Sequence, residues 1–185
     1  MRHRLTSIFT FLAAVSVLAL TGTVTTAAAA TTTPYCGITW GSLAKSHPST
    51  VVSPLVNVRA GGHDCYDRLV LDIRGPADGY RVEYVSDVYT EGTGEVVPLR
   101  GGAKLQIVVY APAYDENGTT YQPTNRSELV NVTGFTTFRQ IAWAGSFEGQ
   151  STIGLGVRAR LPFQVFTLAG PGTGSRLVID VAHQW

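Results

Sequence analysis

The 185-residue chain has little charge, only two cysteines and no apolar run long enough for a membrane helix. Charged residues make up 15% of it, and 14 Lys and Arg against 13 Asp and Glu give a net charge of +1. A near-neutral chain without basic runs argues against nucleic acid and acidic membranes as partners. The longest apolar run, residues 8–20, falls short of the ~20 residues that a membrane helix needs. The sequence therefore predicts no membrane span.

The first thirty residues combine a short basic start, this apolar run and a small-residue end. Arg2 and Arg4 precede the run, and three alanines occupy positions 28–30. This order is typical of a secretory signal peptide with an A-x-A cleavage site. We therefore expect residues 1–30 to be a signal peptide, residues 31–35 a short disordered tether and residues 36–185 one secreted domain. Cleavage would leave 12 basic side chains and a net charge of −1.

The scarcity of cysteine limits the covalent and metal chemistry of the chain. Cys36 and Cys65 are the only two, and in an oxidising compartment such a pair most often forms a disulfide. The bridge would close a loop of about 30 residues, which is worth roughly 3–4 kcal/mol on the chain-entropy model. Two thiols without a neighbouring His pair fall short of the four ligands of a structural zinc site. We predict a disulfide and neither metal nor cofactor.

Short runs of β-branched and aromatic residues, broken by Gly, Pro, Asn or Asp, dominate the chain after residue 39. Such runs predict strands, and no window after residue 30 has sustained helical periodicity. Many short strands at even spacing indicate a β-sandwich or a closed barrel. The predicted strands lie near residues 51–60, 66–73, 80–86, 96–99, 103–111, 128–134, 138–144, 150–158, 163–168 and 176–182.

One segment recurs within the chain. Residues 67–73, DRLVLDI, are echoed by residues 175–181, SRLVIDV. Alternation along a strand puts the aliphatic side chains of each copy on one face, toward the core, and the arginine and aspartate on the other. If the copies are antiparallel neighbours, two structural ion pairs follow: Arg68 with Asp180, and Arg176 with Asp72. Two related units packed face to face would then form the domain; chance similarity of common strand residues is the alternative.

The same segment carries a family resemblance. Residues 63–72, HDCYDRLVLD, followed by residues 79–85, GYRVEYV, resemble the AMIN-like domain of secreted actinobacterial proteins. Further stretches that resemble it are residues 129–134, 138–145, 154–163 and 176–185. The resemblance covers nearly all of the chain after the signal peptide.

The resemblance implies a fold and a broad role. AMIN domains proper are β-sandwiches that occur beside cell-wall amidases and secretin subunits and are associated with septal or peptidoglycan targeting; the AMIN-like group is more distant and has no assigned activity. No catalytic domain follows in this sequence, so a stand-alone binding module is implied. We therefore predict an all-β fold, a single-domain antiparallel β-sandwich of roughly 8–10 strands. Its expected partner is peptidoglycan or a cell-wall protein; the sequence does not determine the oligomeric state.

Motifs of known enzymes are missing from the sequence. There is no G-x-S-x-G nucleophile elbow, since residues 145–149 read GSFEG, and no H-E-x-x-H zinc motif. His63 beside Asp64 could form a general base with its orienting carboxylate, but such a pair is more typical of a turn. Carboxylates that cleave glycosides are paired in space, so a secreted hydrolase, or a protein inhibitor that acts through loops, is the alternative function. We predict no catalytic residues.

Arginine is the most suggestive polar residue type, with ten Arg against two Lys after residue 30. Its planar guanidinium matches the carboxylates of stem peptides and the phosphates of wall polymers, and aromatic rings offer stacking faces for sugars. Arg158 and Arg160 alternate onto one face of a predicted strand. The binding candidates are Arg158, Arg160, Arg139, Tyr66 and Trp143, with Trp40, Tyr80 and Tyr84 as further stacking faces. If the arginines instead pair with acids of the sheets, Arg158→Ala should cost stability and leave wall binding unchanged.

Overall fold

The computed structural model describes residues 33–185. The predicted signal peptide and the first two tether residues lie outside these described residues. Tyr35, expected at the end of a disordered tether, begins a 3-10 helix, Tyr35–Gly37. No helix within residues 33–185 is long and apolar enough to cross a membrane. The strands are β1 Lys45–His47, β2 Leu55–Gly62, β3 Tyr66–Ile73, β4 Tyr80–Val85, β5 Val88–Tyr89, β6 Val96–Val97, β7 Ala103–Val109, β8 Tyr114–Asp115, β9 Gly118–Thr119, β10 Phe138–Phe147, β11 Gln150–Val157, β12 Phe163–Ala169 and β13 Ser175–Ala182.

Nine of these strands form two antiparallel sheets. The five-stranded sheet has the order β1-β4-β7-β11-β10, and the four-stranded sheet has the order β12-β13-β3-β2. Alternate aliphatic side chains point inward from both sheets, so that Leu71 and Ile179 of one share a core with Leu105 and Ile153 of the other, all fully buried. The predicted all-β sandwich in a single domain is confirmed. Two small hairpins, β5–β6 and β8–β9, complete the described strands.

The repeated segment explains part of the four-stranded sheet. Its two copies form β3 and β13, which are antiparallel neighbours with Arg68 opposite Asp180 and Arg176 opposite Asp72. The copies therefore lie side by side in one sheet, and the expected pair of units packed face to face is wrong. The reason is that both copies use their backbone groups to bond each other, which places their aliphatic side chains on the same inner face.

The predicted strand at residues 128–134 is absent. The side chain of Asn131 accepts a hydrogen bond from the Thr133 N–H at 3.0 Å, and the Phe135 N–H bonds to the Val132 carbonyl. An asparagine that caps its own backbone in this way favours a turn over an extended strand. Residues 128–134 therefore form an irregular loop.

The outer face of the five-stranded sheet is covered in part by the chain itself. The β5–β6 hairpin packs Val88 and Val97 on Ala142 and Ala144 of β10, which forms a second, smaller core. Next to it, residues 98–102 lie directly on β11, where a Cβ at Gly154 would come within 2.7 Å of the Leu99 side chain. Glycine in β11 thus permits the close approach of another backbone.

The predicted disulfide is confirmed. Cys36 and Cys65 are bonded, with their Cα atoms 6.2 Å apart, and the described residues contain no free cysteine. Cys36 lies in the 3-10 helix and Cys65 immediately precedes β3. The bridge therefore ties the start of the described chain to one end of the four-stranded sheet.

Candidate functional site

Two of the predicted arginines lie together at one end of the sandwich. Arg158 and Arg160 follow β11, on an irregular segment that leads into β12, rather than on a strand as expected. Both side chains are exposed, and both line an open cleft of about 640 Å³. Trp185 contributes an aromatic wall to the same cleft. The lining residues are Thr136, Arg158, Ala159, Arg160, Leu161, Gln184 and Trp185.

Both guanidinium groups are held by neutral oxygen atoms. Arg158 donates from Nη2 to the carbonyl of His183, and Arg160 donates from Nε and Nη2 to the hydroxyl and carbonyl of Ser42, at 3.2 and 3.0 Å. Neither arginine forms a salt bridge with a carboxylate among residues 33–185, whereas six other basic side chains there do so with Asp or Glu. No carboxylate of residues 33–185 therefore lies within salt-bridge distance of either guanidinium group.

A second cleft adjoins the first at Arg160. It has a volume of about 420 Å³, and its lining residues are Tyr84, Val85, Ser86, Gly101, Gly102, Ala103, Lys104 and Arg160. The Arg160 guanidinium lies 4.9 Å from the centroid of the Tyr84 ring, within the range of a cation–π contact. Since Arg160 belongs to both clefts, we treat them as one groove, the Arg160 groove.

Tyr84 fixes the floor of the Arg160 groove. Its hydroxyl donates to the carbonyl of Leu161 and accepts from the Leu161 N–H, each at 2.9 Å. Burial raises the pKa of the Tyr84 hydroxyl, and this outweighs the lowering effects of the Leu161 hydrogen bond and of the Arg160 charge. The hydroxyl therefore stays protonated at neutral pH, and both hydrogen bonds to the segment that carries Arg160 persist.

Trp185 is the aromatic residue most open to a ligand in the groove. Its side chain is 68% exposed, and its indole N–H donates to the carbonyl of Arg160 at 3.0 Å. One edge of the ring is thus anchored while much of its surface remains in solvent. Sequence analysis did not select Trp185 as a ligand-binding residue; its only signal is a large aromatic residue just beyond the last predicted strand.

A buried polar cluster supports the wall that carries Arg158. Asp67 Oδ2 accepts from the N–H groups of Thr137 and Phe138 at 2.6 and 2.9 Å, and Asp67 Oδ1 lies 3.1 Å from His183 Nε2. Asp67 and His183 are 1% and 5% exposed. Because the His183 carbonyl accepts from Arg158, this cluster fixes one of the anchors of the groove.

The remaining binding candidates do not join the groove. Arg139 donates to the carbonyls of Phe135, Thr136 and Phe138 and lines a different cleft. Trp143 is 8% exposed and packs edge-on against Tyr121 in the core, so its prediction as a sugar-stacking residue is wrong. On β10 the side chains of Trp143 and Ile141 both point into the core. Residues 141–144 are all apolar, so the sequence does not show which of them point inward.

Tyr66 lies on the outer face of the four-stranded sheet rather than in the groove. Its ring is half-buried, stacked on His63 with centroids 4.7 Å apart and set edge-on to Trp40 at 5.6 Å. The Arg68 guanidinium lies 5.2 Å from the centroid of the same ring. The neighbours of Tyr66 thus already use much of its aromatic surface.

The expected ion pairs are formed in one case and replaced in the other. Arg68 binds Asp180 through Nε and Nη2 at 2.6 and 2.8 Å. Asp72 does not pair with Arg176; it accepts from Nε and Nη2 of Arg59 at 2.8 and 3.0 Å. Arg176 instead donates from Nη2 to the carbonyl of Ala169. Asp72 lies on β3, between β13 and β2. Arg59 on β2 reaches its carboxylate, so Arg176 on β13 does not pair with it.

The groove is lined by cationic, aromatic and neutral polar groups. No Asp or Glu side chain lines either of its clefts, and residues 33–185 contain no cluster of His, Cys, Asp and Glu able to hold a metal. Two guanidinium groups without a salt-bridge partner in that range and an exposed indole remain, since the Lys104 ammonium is paired with Asp87 at 2.6 Å. Such a set can hold an oxyanion and an adjoining sugar ring.

Comparison with known proteins identifies the family. The family model of the AMIN-like domain matches residues 53–183, well over half of the chain. No match was found among curated proteins, and none among solved structures. The chain therefore belongs to the AMIN-like domain family.

Proposed function

We propose that this AMIN-like chain is a non-enzymatic, secreted binding module of the cell envelope. It recognises peptidoglycan or a wall-associated partner through the Arg160 groove. The observation that carries the proposal is that Arg158 and Arg160 share one cleft with the exposed ring of Trp185, and that no carboxylate of residues 33–185 lies within salt-bridge distance of them.

The chemistry of the groove suits a wall polymer. Peptidoglycan stem peptides carry carboxylates and other wall polymers carry phosphates, and guanidinium groups form short, charge-assisted hydrogen bonds to both. The apolar face of an indole packs against the C–H face of a sugar ring. A ligand with an anionic group next to a sugar can therefore engage Arg158, Arg160 and Trp185 together.

The groove is also pre-organised. Arg160 is held by Ser42 and lies beside the Tyr84 ring, and the indole of Trp185 is held by the Arg160 carbonyl. Side chains that are ordered before binding lose less conformational entropy when a ligand arrives. This favours a dedicated binding surface over an incidental pair of surface charges.

Two features support action outside the cell. The first thirty residues have the composition of a secretory signal peptide. Cys36 and Cys65 form a disulfide, as is usual in oxidising compartments. The absence of Asp and Glu side chains from the lining of the groove is what favours binding over glycoside cleavage there.

A pull-down with purified cell-wall sacculi tests the proposal. Residues 31–185, made under oxidising conditions, contain all of the described core. We expect saturable enrichment of this protein over an unrelated secreted domain. The absence of enrichment of folded protein would contradict the proposal.

Variants locate the binding face. Arg158→Gln combined with Arg160→Gln should lower binding at least tenfold, because it removes both charges while keeping polar side chains of similar length. Arg126→Gln is the matched control, since Arg126 is also exposed, also lacks a carboxylate partner among the described residues and lines a different cleft. Equal binding by the double variant and the control would exclude the Arg160 groove as the binding site.

A further inference from the structure

Three of the four edges in the two main sheets are protected. β1 is only three residues long and carries Lys45 and His47. Along β10, residues 126–129 bond to the strand edge, with the Trp143 N–H on the Arg126 carbonyl. β2 carries an irregularity between Leu55 and Asn57 and an exposed arginine. Short length, covering loops, bulges and charges are the features by which proteins prevent pairing at sheet edges.

The fourth edge, β12, is covered only at its two ends, where the Phe163 N–H donates to the Gly41 carbonyl and the Ala169 carbonyl accepts from Arg176 Nη2. The strand is seven residues long, FQVFTLA, and contains neither a charged residue nor a proline. It pairs with β13 over its full length without a register shift. Thr167, Leu168 and Ala169 are exposed. It is therefore a regular, uncharged strand with one open edge.

The unused backbone groups of β12 can be assigned. The Phe163 N–H points away from β13, because it donates to the Gly41 carbonyl, while the Gly170 N–H just beyond the strand points toward the β13 side, to Gly174. Alternation in an antiparallel ladder then directs the N–H and C=O groups of Val165, Thr167 and Ala169 outward. Within residues 33–185 no hydrogen bond reaches the backbone groups of Val165 or Thr167 from that side, whereas the Ala169 carbonyl accepts from Arg176 Nη2.

This free edge is complementary to itself. The outward groups run from Val165 to Ala169 and are centred on Thr167, so a twofold axis through Thr167 pairs them with the same groups of another chain. Thr167 then faces its own copy, and Val165 faces Ala169. The Thr167 pair exchanges two N–H···O=C bonds, and each Val165–Ala169 pair exchanges two more, with the Ala169 carbonyl, which also accepts from Arg176, using its second lone pair. A strand without charge brings no like charges together across such a twofold axis.

We infer that the β12 edge binds a second copy of this chain, forming an antiparallel β12–β12 dimer with a continuous eight-stranded sheet. The symmetry is closed, because each chain has a single β12 edge and the dimer uses both of them. Adding a strand to an open sheet edge is an established mode of recognition. The inference does not depend on the ligand of the Arg160 groove.

Measurements of molar mass against protein concentration test the dimer. Residues 31–185 should approach twice the monomer mass by light scattering or sedimentation. Thr167→Pro removes an outward N–H without touching a bond to β13 and should stay monomeric at the same concentrations, with a folded far-UV spectrum. Thr167→Ala keeps the N–H and should dimerise. A wild-type chain that stays monomeric up to about 1 mM, and so has a dissociation constant weaker than that, would overturn the inference.

A cysteine trap tests the register even if the proline variant fails to fold. Residues directly opposite in a hydrogen-bonded pair have Cα atoms about 5.5 Å apart, which suits a disulfide. Thr167→Cys should therefore form a covalent dimer on mild oxidation. Ala169→Cys is the control, since its own copy would lie four residues along the strand, about 13 Å away. Equal cross-linking of both variants, or of neither, would contradict the proposed pairing.

Discussion

Asp67 and His183 form a buried polar contact, with Oδ1 of one 3.1 Å from Nε2 of the other. It joins the start of β3 to the residue that follows β13. The second carboxylate oxygen of Asp67 binds two backbone N–H groups at the start of β10. A single side chain thereby connects both sheets at the end of the sandwich where the Arg160 groove lies.

Removing the Asp67 carboxylate should destabilise the protein strongly. Asp67→Ala leaves the N–H groups of Thr137 and Phe138 buried without an acceptor, which should lower the free energy of unfolding by about 3 kcal/mol or more. Asp67→Asn should cost less, because its amide oxygen can still accept from both. Urea unfolding checks both variants; equal losses would contradict the role assigned to the two backbone bonds.

A methyl group at Gly156 should not be tolerated. Its Cβ would overlap the carbonyl oxygen of Arg100, a backbone atom that cannot move aside cheaply. Overpacking of this kind costs roughly 1–3 kcal/mol, so we expect Gly156→Ala to lower the melting temperature clearly. Gly61→Ala is the matched control, because Gly61 is also a strand glycine and its added Cβ would meet nothing within 4 Å. Equal melting temperatures for the two variants would refute the argument.

Stability should fall at high pH through Tyr84. Burial raises the pKa of its hydroxyl above the ordinary value of 10.0, so above pH 10 the unfolded chain loses this proton while the folded protein keeps it. The stability that Tyr84 contributes is fully present below pH 10 and is lost as the pH rises through its folded-state pKa. Tyr84→Phe should therefore flatten the decline in unfolding free energy above pH 10. Parallel curves for the wild type and the variant would contradict this.

Trp185 should matter for binding and little for folding. Trp185→Ala removes the exposed ring from the groove, so we expect weaker retention on sacculi with a nearly unchanged melting temperature. Phe147→Ala is the control, because Phe147 is 52% exposed and is the last residue of β10, at the opposite end of β11 from the groove. If both variants bind as well as the wild type, the indole has no part in recognition.

Much of the fold could be predicted because local pattern and tertiary structure agree. The alternation in residues 66–73 is so regular that the predicted and observed bounds of β3 coincide. Residues 128–134 have a similar composition, but the side chain of Asn131 binds the local backbone and no strand forms. The strand propensity of the residues does not show that a side chain will bond to the local backbone in place of a neighbouring strand.

The candidate site was predictable only in part. The spacing of Arg158 and Arg160 predicted them as binding residues, and both line the groove. The prediction for Trp143 was wrong and Trp185 was missed for the same reason. In the sequence, an aromatic residue looks the same whether its ring enters the core or remains in solvent. Burial depends on which part of the fold lies opposite the residue. Trp143 is 8% exposed, whereas Trp185 is 68% exposed.

The core strands, the disulfide partners and the family could be predicted from local patterns, because alternation, cysteine count and short motifs depend on residues close together in the chain. Tertiary structure alone decided that Asp72 binds Arg59 rather than Arg176, that Arg158 and Arg160 meet no carboxylate within residues 33–185, and that β12 keeps an open edge. Each of these depends on which distant segment lies alongside, and sheet order and register set that through contacts far apart in the chain.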